Sequence, residues 1–407
     1  MGINWKKMLL SCLLVVVMVT TLCLGCGGEE PSGKTVLKIG NLTDLTGPAS
    51  PATVPAAWAL EDAASYFNEQ NLIPGVELEI IHYDARADPS RDIPGYEWLK
   101  AKGVQTFYCP MPTAWDVLPP YLAQDKILMA TGSTTKELLQ NAGWTFCPGS
   151  AQFYEIKALL GWISDQWDYS QGKPTISAVD YNNGHSMAMC DAIRDYCTET
   201  GDFELIDSFI VPMGTMMFSG EIAKIKDSDY IFIPSFSLGE ATFVREFRQK
   251  TDTGTFIGSL SQSAYLGLIV DLASWEDADG MLVCLPSGTW GEDVPLIQLA
   301  EESLHEYHSG DAEDIIHSGT AFLTAFLTSY LLVDIVRAAV EEVGAENFDG
   351  EAMYNAMINY KRTFEGYEEW GFTEYLRYAW HDTLAFRVSA QEQSLVRESG
   401  WLPFSAD

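Results

Sequence analysis

The segment from Gly184 to Ala188 contains the residue types of a hydrolase nucleophile site. Its sequence, Gly-His-Ser-Met-Ala, places a histidine beside a serine, a pair that could supply a base and a nucleophile. The second glycine of a Gly-x-Ser-x-Gly elbow, on which the sharp strand-to-helix turn of that motif depends, is missing. We therefore predict that His185 and Ser186 begin a helix, with Ser186 as its cap, and keep a secreted hydrolase as the alternative.

A second cluster, between residues 305 and 317, contains metal-ligating residue types. His305 and His308 lie three residues apart rather than the four of a zincin helix, and Asp314 and His317 follow them. Zinc sites need closely matched ligand spacing, so we expect an exposed helix end here, with a metal site as the alternative. The sequence also lacks a phosphate loop and a Gly-x-Gly-x-x-Gly motif. It therefore predicts no enzyme, no metal and no cofactor.

The formal net charge of the 407-residue chain is -33, and its acidic residues are scattered rather than grouped in blocks. A surface this acidic repels phosphate backbones and anionic lipid headgroups. The composition therefore excludes nucleic acid as a partner and indicates a solvated surface.

The first 26 residues have the anatomy of an export signal. Lys6 and Lys7 precede the apolar run Met8–Leu24, and Gly25 and Cys26 follow it. This order predicts a lipoprotein signal that is cut before Cys26, with Cys26 as the lipidated residue. The alternative is an uncleaved anchor, although the apolar run is short beside the ~20 residues of a membrane span. Residues 27–34 are polar and glycine-rich, which predicts a flexible tether.

Five cysteines follow the signal, and none forms a Cys-x-x-Cys pair. They are Cys109, Cys147, Cys190, Cys197 and Cys284. Export would permit disulfides. Cys190 and Cys197 are too far apart on a predicted helix to form one, so we expect buried free thiols.

Short apolar runs alternate with helical patterns from residue 35 to residue 285. The predicted strands are Val36–Leu42, Val76–Asp84, Thr106–Tyr108, Ile127–Ala130, Thr175–Val179, Leu205–Val211, Tyr230–Ile233, Thr255–Gly258 and Met281–Leu285, and the predicted helices include Pro55–Asn68, Asp92–Lys102, Ser186–Thr200 and Glu240–Lys250. Strands that alternate with helices form parallel sheets covered on both faces, with ligand sites beyond the carboxyl ends of the strands. A later apolar stretch, Ala321–Val340, contains Asp334 and Arg337, which predicts a buried helix rather than a membrane span.

An ordered set of segments resembles the periplasmic ligand-binding proteins of branched-chain amino acid type, the receptors of ABC importers. The matching segments are Leu37–Pro48 with its Thr-Gly-Pro turn, Ala63–Asn68, Tyr83–Pro89, Ile127–Met129 with Gly132–Thr135, Asp180–Gly184, Phe218–Ser219 and Gly280–Val283. The resemblance implies an α/β fold of two doubly wound parallel-sheet lobes joined by a three-strand hinge, the type I periplasmic binding fold. The expected first lobe is 35–148 plus 288–362, and the expected second lobe is 149–287 plus 363–407. Chain crossings are expected near Cys147–Ser150, Leu285–Gly288 and Lys361–Glu369.

The resemblance also implies a ligand site in the cleft between the lobes. The matching positions are Met111, Thr113, Gly132, Ser133, Thr134, Tyr154, Asn183, Phe236, Ser237, Leu260 and Ser261. Pro110 and Pro112 depart from the family pattern, because proline has no backbone N–H to donate. Cys109 matches one half of the family's common disulfide, but the partner position is Ala87, so the bridge is expected to be absent.

Leu260 stands where amino-acid-binding relatives carry the acidic residue that pairs with the ligand ammonium. A buried ammonium without a carboxylate is costly, so free leucine-like amino acids are expected to be poor ligands. The alternative is that Asp271 or Glu240 supplies the charge. A ligand with a carboxylate or amide and an apolar or aromatic body fits these positions better.

The resemblance thus predicts an extracytoplasmic solute-binding subunit of an ABC importer, anchored to the membrane only through lipidated Cys26. Its expected partners are a small-molecule ligand and a membrane permease. A ligand sensor for a membrane signalling partner is the alternative within the binding class.

Overall fold

Two β-sheets, each covered by helices, organise the protein. The computed structural model describes residues 33–136, 138, 143–235 and 238–404, and the described residues from 36 onward form one unit. The described strands are β1 (Thr35–Thr43), β2 (Val76–Asp84), β3 (Thr106–Cys109), β4 (Leu128–Thr131), β5 (Thr145–Ser150), β6 (Thr175–Tyr181), β7 (Glu204–Val211), β8 (Tyr230–Phe232), β9 (Thr255–Gly258), β10 (Leu282–Cys284), β11 (Lys361–Thr363), β12 (Glu369–Gly371), β13 (Tyr378–Trp380), β14 (Asp382–Thr383), β15 (Ala385–Ser389), β16 (Ser394–Arg397) and β17 (Leu402–Pro403).

The described α-helices fill most connections between these strands. They are α1 (Ser50–Glu69), α2 (Asp92–Ala101), α3 (Pro112–Val117), α4 (Pro119–Asp125), α5 (Gln152–Gln166), α6 (Gly184–Thr200), α7 (Ser219–Ile225), α8 (Leu238–Arg248), α9 (Leu260–Ser263), α10 (Leu266–Leu272), α11 (Trp275–Ala278), α12 (Pro295–Tyr307), α13 (Ala312–Ser318), α14 (Ala321–Val343) and α15 (Gly350–Asn359). Short 3-10 turns at Pro89–Arg91, Tyr169–Gln171 and Ala345–Asn347 complete the set.

The first sheet has the strand order β13-β5-β4-β3-β1-β2, and the second has the order β16-β15-β10-β9-β8-β6-β7. In the first sheet, β1–β3, β3–β4, β4–β5 and β5–β13 pair in parallel. In the second sheet, β6 to β10 pair in parallel, while β10–β15 and β15–β16 are antiparallel. The predicted parallel α/β architecture is confirmed, and the antiparallel strands at the C-terminal end were not predicted.

Each sheet is buried on both faces, as doubly wound sheets are. Helices α1, α12, α14 and α15 pack on one face of the first sheet, and α2 to α4 pack on the other. Helices α7, α8, α10 and α11 cover one face of the second sheet, and α5 and α6 cover the other. The carboxyl ends of the parallel strands therefore stay open for loops and helix starts.

Helix α14 is the apolar stretch predicted as a buried helix. By length and composition it is the one helix among the described residues that could cross a membrane, but 78% of its most apolar window is buried inside the protein. It packs along α1 in the core of the first sheet. Its hydropathy is thus explained by burial, and the prediction is confirmed.

The start of α6 corrects one detail of the sequence analysis. The helix does begin at Gly184, so His185 and Ser186 lie in its first turn. The cap, however, is Asn183, whose side-chain oxygen accepts a hydrogen bond from the backbone N–H of Ser186 at 2.9 Å. Asparagine is as good an N-cap residue as serine, and Asn183 is the last residue with extended backbone before the helix.

Candidate functional site

A cavity lies where the carboxyl ends of strands from both sheets meet. The volume of the cavity is about 120 Å³. The lining residues are Ala49, Ala52, Thr53, Ala56, Tyr108, Pro110, Met111, Pro112, Trp115, Gly132, Ser133, Gln152, His185, Leu260, Ser261, Ala264, Tyr265, Ala321, Thr324 and Ala325. This is the expected position of a ligand site in an α/β fold of this kind.

Among the residues that the structure describes, the lining contains no Asp, Glu, Lys or Arg side chain. Four long helices, α1, α5, α6 and α14, begin at or beside it. Helix amino termini carry partial positive charge and exposed N–H groups, which favour a negative ligand group. The cavity is therefore suited to an apolar body and an anionic or carbonyl group, and offers no carboxylate to an ammonium.

The loop between β1 and α1 is shaped by Asp44. Its carboxylate accepts hydrogen bonds from the backbone N–H of Gly47 at 2.5 Å and of Ala49 at 2.8 Å. The Thr53 hydroxyl donates to the carbonyls of Asp44 and Ala49. These bonds begin α1 at Ser50, five residues before the predicted start, and bring Ala49 to Ala56 to the cavity.

Residues after β3 and β4 form the wall on the side of the first sheet. The indole N–H of Trp115 donates to the carbonyl of Cys109 at 2.8 Å, which holds its ring against the cavity. Gly132 lies beside Tyr108, whose hydroxyl would be 3.1 Å from a Cβ at that position. Ser133 is buried, and its hydroxyl donates a long hydrogen bond, 3.4 Å, to the carbonyl oxygen of Ser150.

The opposite wall is built around the start of α9. Ser259 and Gln262 form a capping box, in which the Ser259 N–H donates to the Gln262 side chain at 2.7 Å. The Ser259 and Ser261 hydroxyls each donate to the side-chain oxygen of Gln152 at 2.9 Å. These bonds tie α5 to α9, so Gln152, Leu260 and Ser261 face the cavity together.

Of the described lining residues, His185 is the one titratable group besides the two tyrosines. Burial lowers the pKa of its imidazole to about 4, and a hydrogen bond to the Thr134 carbonyl opposes that shift only in part. The edge of the ring meets Trp115 with centroids 6.1 Å apart and an interplanar angle of 87°. The ring is therefore neutral at physiological pH and adds no charge to the cavity.

Helices and loops that belong to the two sheets also contact each other beside the cavity. Thr320, which precedes α14, makes two hydrogen bonds with Ser263 of α9. Their hydroxyl oxygens are 2.7 Å apart, and the Thr320 N–H donates to the Ser263 carbonyl at 3.2 Å. The Tyr265 hydroxyl donates to the Ala49 carbonyl at 3.4 Å. On the outside, His317 lies 3.0 Å from a carboxylate oxygen of Asp271. In this conformation the cleft is closed on this side.

A sequence model of periplasmic binding proteins matches residues 36–393. The chain belongs to the periplasmic binding protein family. No curated protein shows a significant match to it. Among solved structures, it is similar to a branched-chain amino acid ABC transporter protein from Thermus thermophilus with bound valine, at a TM-score of 0.79 and 19% identity, over 92% of this chain and 97% of that one.

Two further solved structures are similar to this periplasmic binding protein. One is a fatty acid ABC transporter substrate-binding protein from Thermomonospora curvata, with a TM-score of 0.76 and 16% identity over 91% of this chain and 94% of that one. The other is a solute-binding protein from R. palustris in complex with benzoate, with a TM-score of 0.73 and 15% identity over 91% and 98% of the two chains. Identities this low establish the shared fold, and the predicted family resemblance is confirmed.

The predicted ligand positions of this periplasmic binding protein fall into three groups. Those that line the cavity are Met111, Gly132, Ser133, Leu260 and Ser261. Those that lie elsewhere in this conformation are Thr113, beside Asp92; Thr134, whose hydroxyl is 3.4 Å from the Thr135 carbonyl; Tyr154, packed on Phe153 and Tyr378; and Asn183, the cap of α6. Phe236 and Ser237, like the predicted lipidation residue Cys26, lie outside the described residues.

Neither alternative source of charge lies in the cavity lining. Asp271 is exposed and pairs with His317 on the outside. Glu240 is buried, and it contributes, after burial, to the raised pKa of Tyr265. Leu260 itself does line the cavity, which is the position that the resemblance gave it.

Several lining residues were not predicted as ligand positions, chiefly Thr53, Trp115, Gln152, His185 and Tyr265. A signal for two of them was present, because Gln152 and His185 each stand a few residues beyond a strand of a parallel sheet. Trp115 and Tyr265 carry no such signal, since a helical aromatic residue is as often part of a core.

The residues whose types suggested a metal site or a nucleophile make contacts that hold the structure together. His308 stacks on Trp58 and lies 3.0 Å from Asp62, and within the described ranges no group of three or more His, Cys, Asp or Glu could hold a metal. Ser186 is buried, with its hydroxyl 3.2 Å from that of Ser235. All five described cysteines are buried free thiols, and burial raises the pKa of Cys147 to about 12.

Proposed function

We propose that this protein is the extracytoplasmic solute-binding subunit of an ABC importer. The observation that carries the proposal is the uncharged cavity between two doubly wound sheets, at the position of a ligand site. Family membership supports it, as do the solved structures of similar fold that are named for ABC transporters. Each sheet with its helices forms one lobe, and we expect the two lobes to close around a solute by a hinge motion.

The ligand class we propose is a small carboxylate or amide with an apolar or aromatic body. Alanine, proline, methionine and aromatic side chains supply most of the lining, and helix amino termini with Ser133 face the remainder. An ammonium inside this cavity would be buried without a carboxylate, which is costly. Fatty acids and benzoate, named for two of the similar structures, combine a carboxylate with an apolar body and have no ammonium, whereas valine, bound in the third, carries one as well.

Lobe boundaries follow from the sheet pairing as part of this proposal. Strands β1 to β5 lie in the first sheet and β6 to β10 in the second, so the chain crosses after Ser150 and again near Leu285–Gly288. The sequence-based bound at residue 363 leaves β13 in the second lobe, whereas β13 pairs with β5 of the first sheet. We therefore propose that the third crossing lies between Trp380 and Ala385.

Native mass spectrometry of the purified protein tests the proposal directly. We expect a bound small organic acid or amide that dissociates on unfolding, and a melting temperature that rises when the same compound is added in excess. A protein that carries no solute, and that no member of a panel of small carboxylates and amides stabilises, would contradict it. A neighbouring permease and ATPase gene pair would favour the importer over a signalling sensor.

Lipid anchoring at Cys26 is the remaining part of the proposal. The charged start, apolar run and Gly25-Cys26 order support it. Cys26→Ala should move the protein from the membrane fraction to the soluble fraction on cell fractionation. Retention of that variant in the membrane would show that something other than a lipid on Cys26 holds it.

A further inference from the structure

Trp115 lines two neighbouring cavities of the protein. The first is the ligand cavity, with a volume of about 120 Å³. The second has a volume of about 280 Å³ and is lined by Trp115 with other residues that follow β3 and β4 in the chain, namely Asp116, Pro119, Thr135, Leu138, Gly143 and Thr145. Among the described residues, Trp115 alone belongs to both linings. The two cavities therefore adjoin at this residue.

The Trp115 side chain is fixed in place rather than free to move aside. It is only 2% exposed and packs in the core between the first sheet and α2 to α4. Its indole N–H donates to the buried Cys109 carbonyl at 2.8 Å, and its ring meets that of His185 edge to face, with centroids 6.1 Å apart. A rotation of the ring would break both contacts and leave a buried carbonyl without its donor, which is costly. The indole is thus a rigid wall of the ligand cavity.

The volume of the ligand cavity limits what can fill it. A dry apolar cavity of about 150 Å³ takes up one benzene molecule. The ligand cavity, at about 120 Å³, therefore has room for an apolar body of about that size. A longer chain would need the space beyond Trp115, or would extend into solvent, where its CH2 groups gain no free energy from burial.

We propose that Trp115 limits the length of the ligand, so that this protein takes carboxylates or amides with a single ring or a short branched chain and not long-chain fatty acids. The inference rests on the proposed function and names its substrate class by size. Trp115 acts as a specificity-determining residue, because its indole separates the ligand cavity from space that a longer chain could fill.

Isothermal titration calorimetry of the purified protein with butanoate, hexanoate, octanoate and decanoate tests the size limit. Each CH2 group that becomes buried raises affinity about fourfold. We expect a rise of this kind from butanoate to hexanoate. Octanoate and decanoate should bind no more tightly than hexanoate, because their additional CH2 groups find no cavity to enter.

Variants of Trp115 test the role of the indole. Trp115→Leu should join the two cavities, so octanoate should bind at least about tenfold more tightly than hexanoate. Trp115→Phe keeps an aromatic ring of smaller size and should give a smaller gain. The matched control is Trp167→Leu, because the Trp167 indole also donates to a backbone carbonyl, that of Gly172 at 2.9 Å, but lies in neither lining. It should keep the wild-type series.

A wild-type affinity that continues to rise about fourfold per carbon up to decanoate would overturn the inference and leave the proposed function standing. A Trp115→Leu series that stops rising at hexanoate would also overturn it, as would a longer limit in Trp167→Leu. If neither these acids nor benzoate bind to the wild-type protein, the proposed ligand class fails together with the inference. If Trp115→Leu does not fold, Trp115→Phe and the wild-type series still decide the matter.

Discussion

Leu260 gives the cavity an aliphatic side chain at the position where the family resemblance predicts the acidic residue of amino-acid-binding relatives. Around it, Gln152, Ser261 and His185 provide only neutral polar atoms. Polar recognition in this site therefore depends on the direction of individual hydrogen bonds rather than on charge pairs.

Ser133 is the residue of the first-sheet wall best placed to donate to the ligand, because its hydroxyl is held only by a 3.4 Å hydrogen bond to the Ser150 carbonyl, which it can exchange for one to the ligand. We predict that Ser133→Ala lowers ligand affinity about tenfold or more, since a buried hydrogen bond to a charged group contributes about 1.5–3 kcal/mol. Thr134→Val is the matched control, because the Thr134 hydroxyl lies off the cavity, and it should bind normally. Calorimetry on both variants measures this. The reverse order of effects would assign the donor role to Thr134, as the sequence alone suggested.

His185 should make stability depend on pH. The unfolded chain takes up a proton near pH 6.5, whereas the folded imidazole does so only near pH 4. Between these values the unfolded state binds more protons, so this contribution is complete above pH 6.5 and is lost as the pH falls, by about 3 kcal/mol at pH 4. Asp180, whose pKa burial raises to about 6, contributes with the opposite sign.

Comparison with a variant isolates the histidine. Between pH 7 and pH 4.5, urea unfolding should show a smaller loss of stability in His185→Gln than in the wild-type protein. An equal loss in both would mean that His185 is protonated in the folded state. The imidazole resonances of the folded protein provide an independent measurement, and should not titrate above pH 5.

The individual residues of the cavity wall were the feature that the sequence predicted least well. Leu260, Ser261 and Ser133 could be placed through the family resemblance. The positions of Gln152 and His185 in the cavity wall could not be predicted in this way. Gln152 is held by Ser259 and Ser261, and His185 by Thr134, and no local sequence pattern indicates contacts between residues so far apart in the chain.

At the scale of elements, the contact between α10 and α13 closes one side of the cleft. Helix α10 packs in the core of the second sheet and α13 in that of the first. Gly267 of α10 lies against this partner: a Cβ there would be 2.6 Å from the His317 carbonyl oxygen and 2.7 Å from Ser318 Cα. Backbone atoms cannot move aside as a flexible side chain can, so closure requires glycine.

We predict that Gly267→Ala weakens ligand binding at least fivefold without touching the cavity. Alanine is well tolerated in the helix itself, so the unliganded protein should keep its melting temperature while the closed state is disfavoured. Small-angle scattering with ligand should show a larger radius of gyration than the wild-type protein has. The control is Gly161→Ala in α5, where a Cβ would meet nothing nearer than 3.7 Å. Normal affinity in Gly267→Ala would show that this contact does not limit closure.

Elements of the parallel sheets could be predicted because each is an apolar run between turn residues. Val76–Asp84 and Thr255–Gly258 were predicted with their observed bounds. The strands after residue 360 are two to five residues long and partly antiparallel, so their pairing depends on the rest of the sheet rather than on a local pattern. The same holds for β5, whose six residues include Pro148 and Gly149.

At the scale of the whole molecule, an acidic surface encloses an uncharged cleft. The formal net charge of the whole chain is -33, and none of the described cavity residues carries a formal charge. We therefore predict that solute selection depends on shape and neutral hydrogen bonds once the lobes close. The cleft should accept carboxylates with apolar bodies and disfavour an ammonium.

The most direct measurement is isothermal titration calorimetry of the purified protein with leucine and with its deaminated analogue, 4-methylpentanoate. We expect measurable binding of the analogue and at least tenfold weaker binding of leucine, because an unpaired buried ammonium costs more than the roughly 1.4 kcal/mol that a factor of ten represents. Tight binding of leucine, with the analogue much weaker, would contradict the proposed ligand class and show that a carboxylate of the protein reaches the ligand.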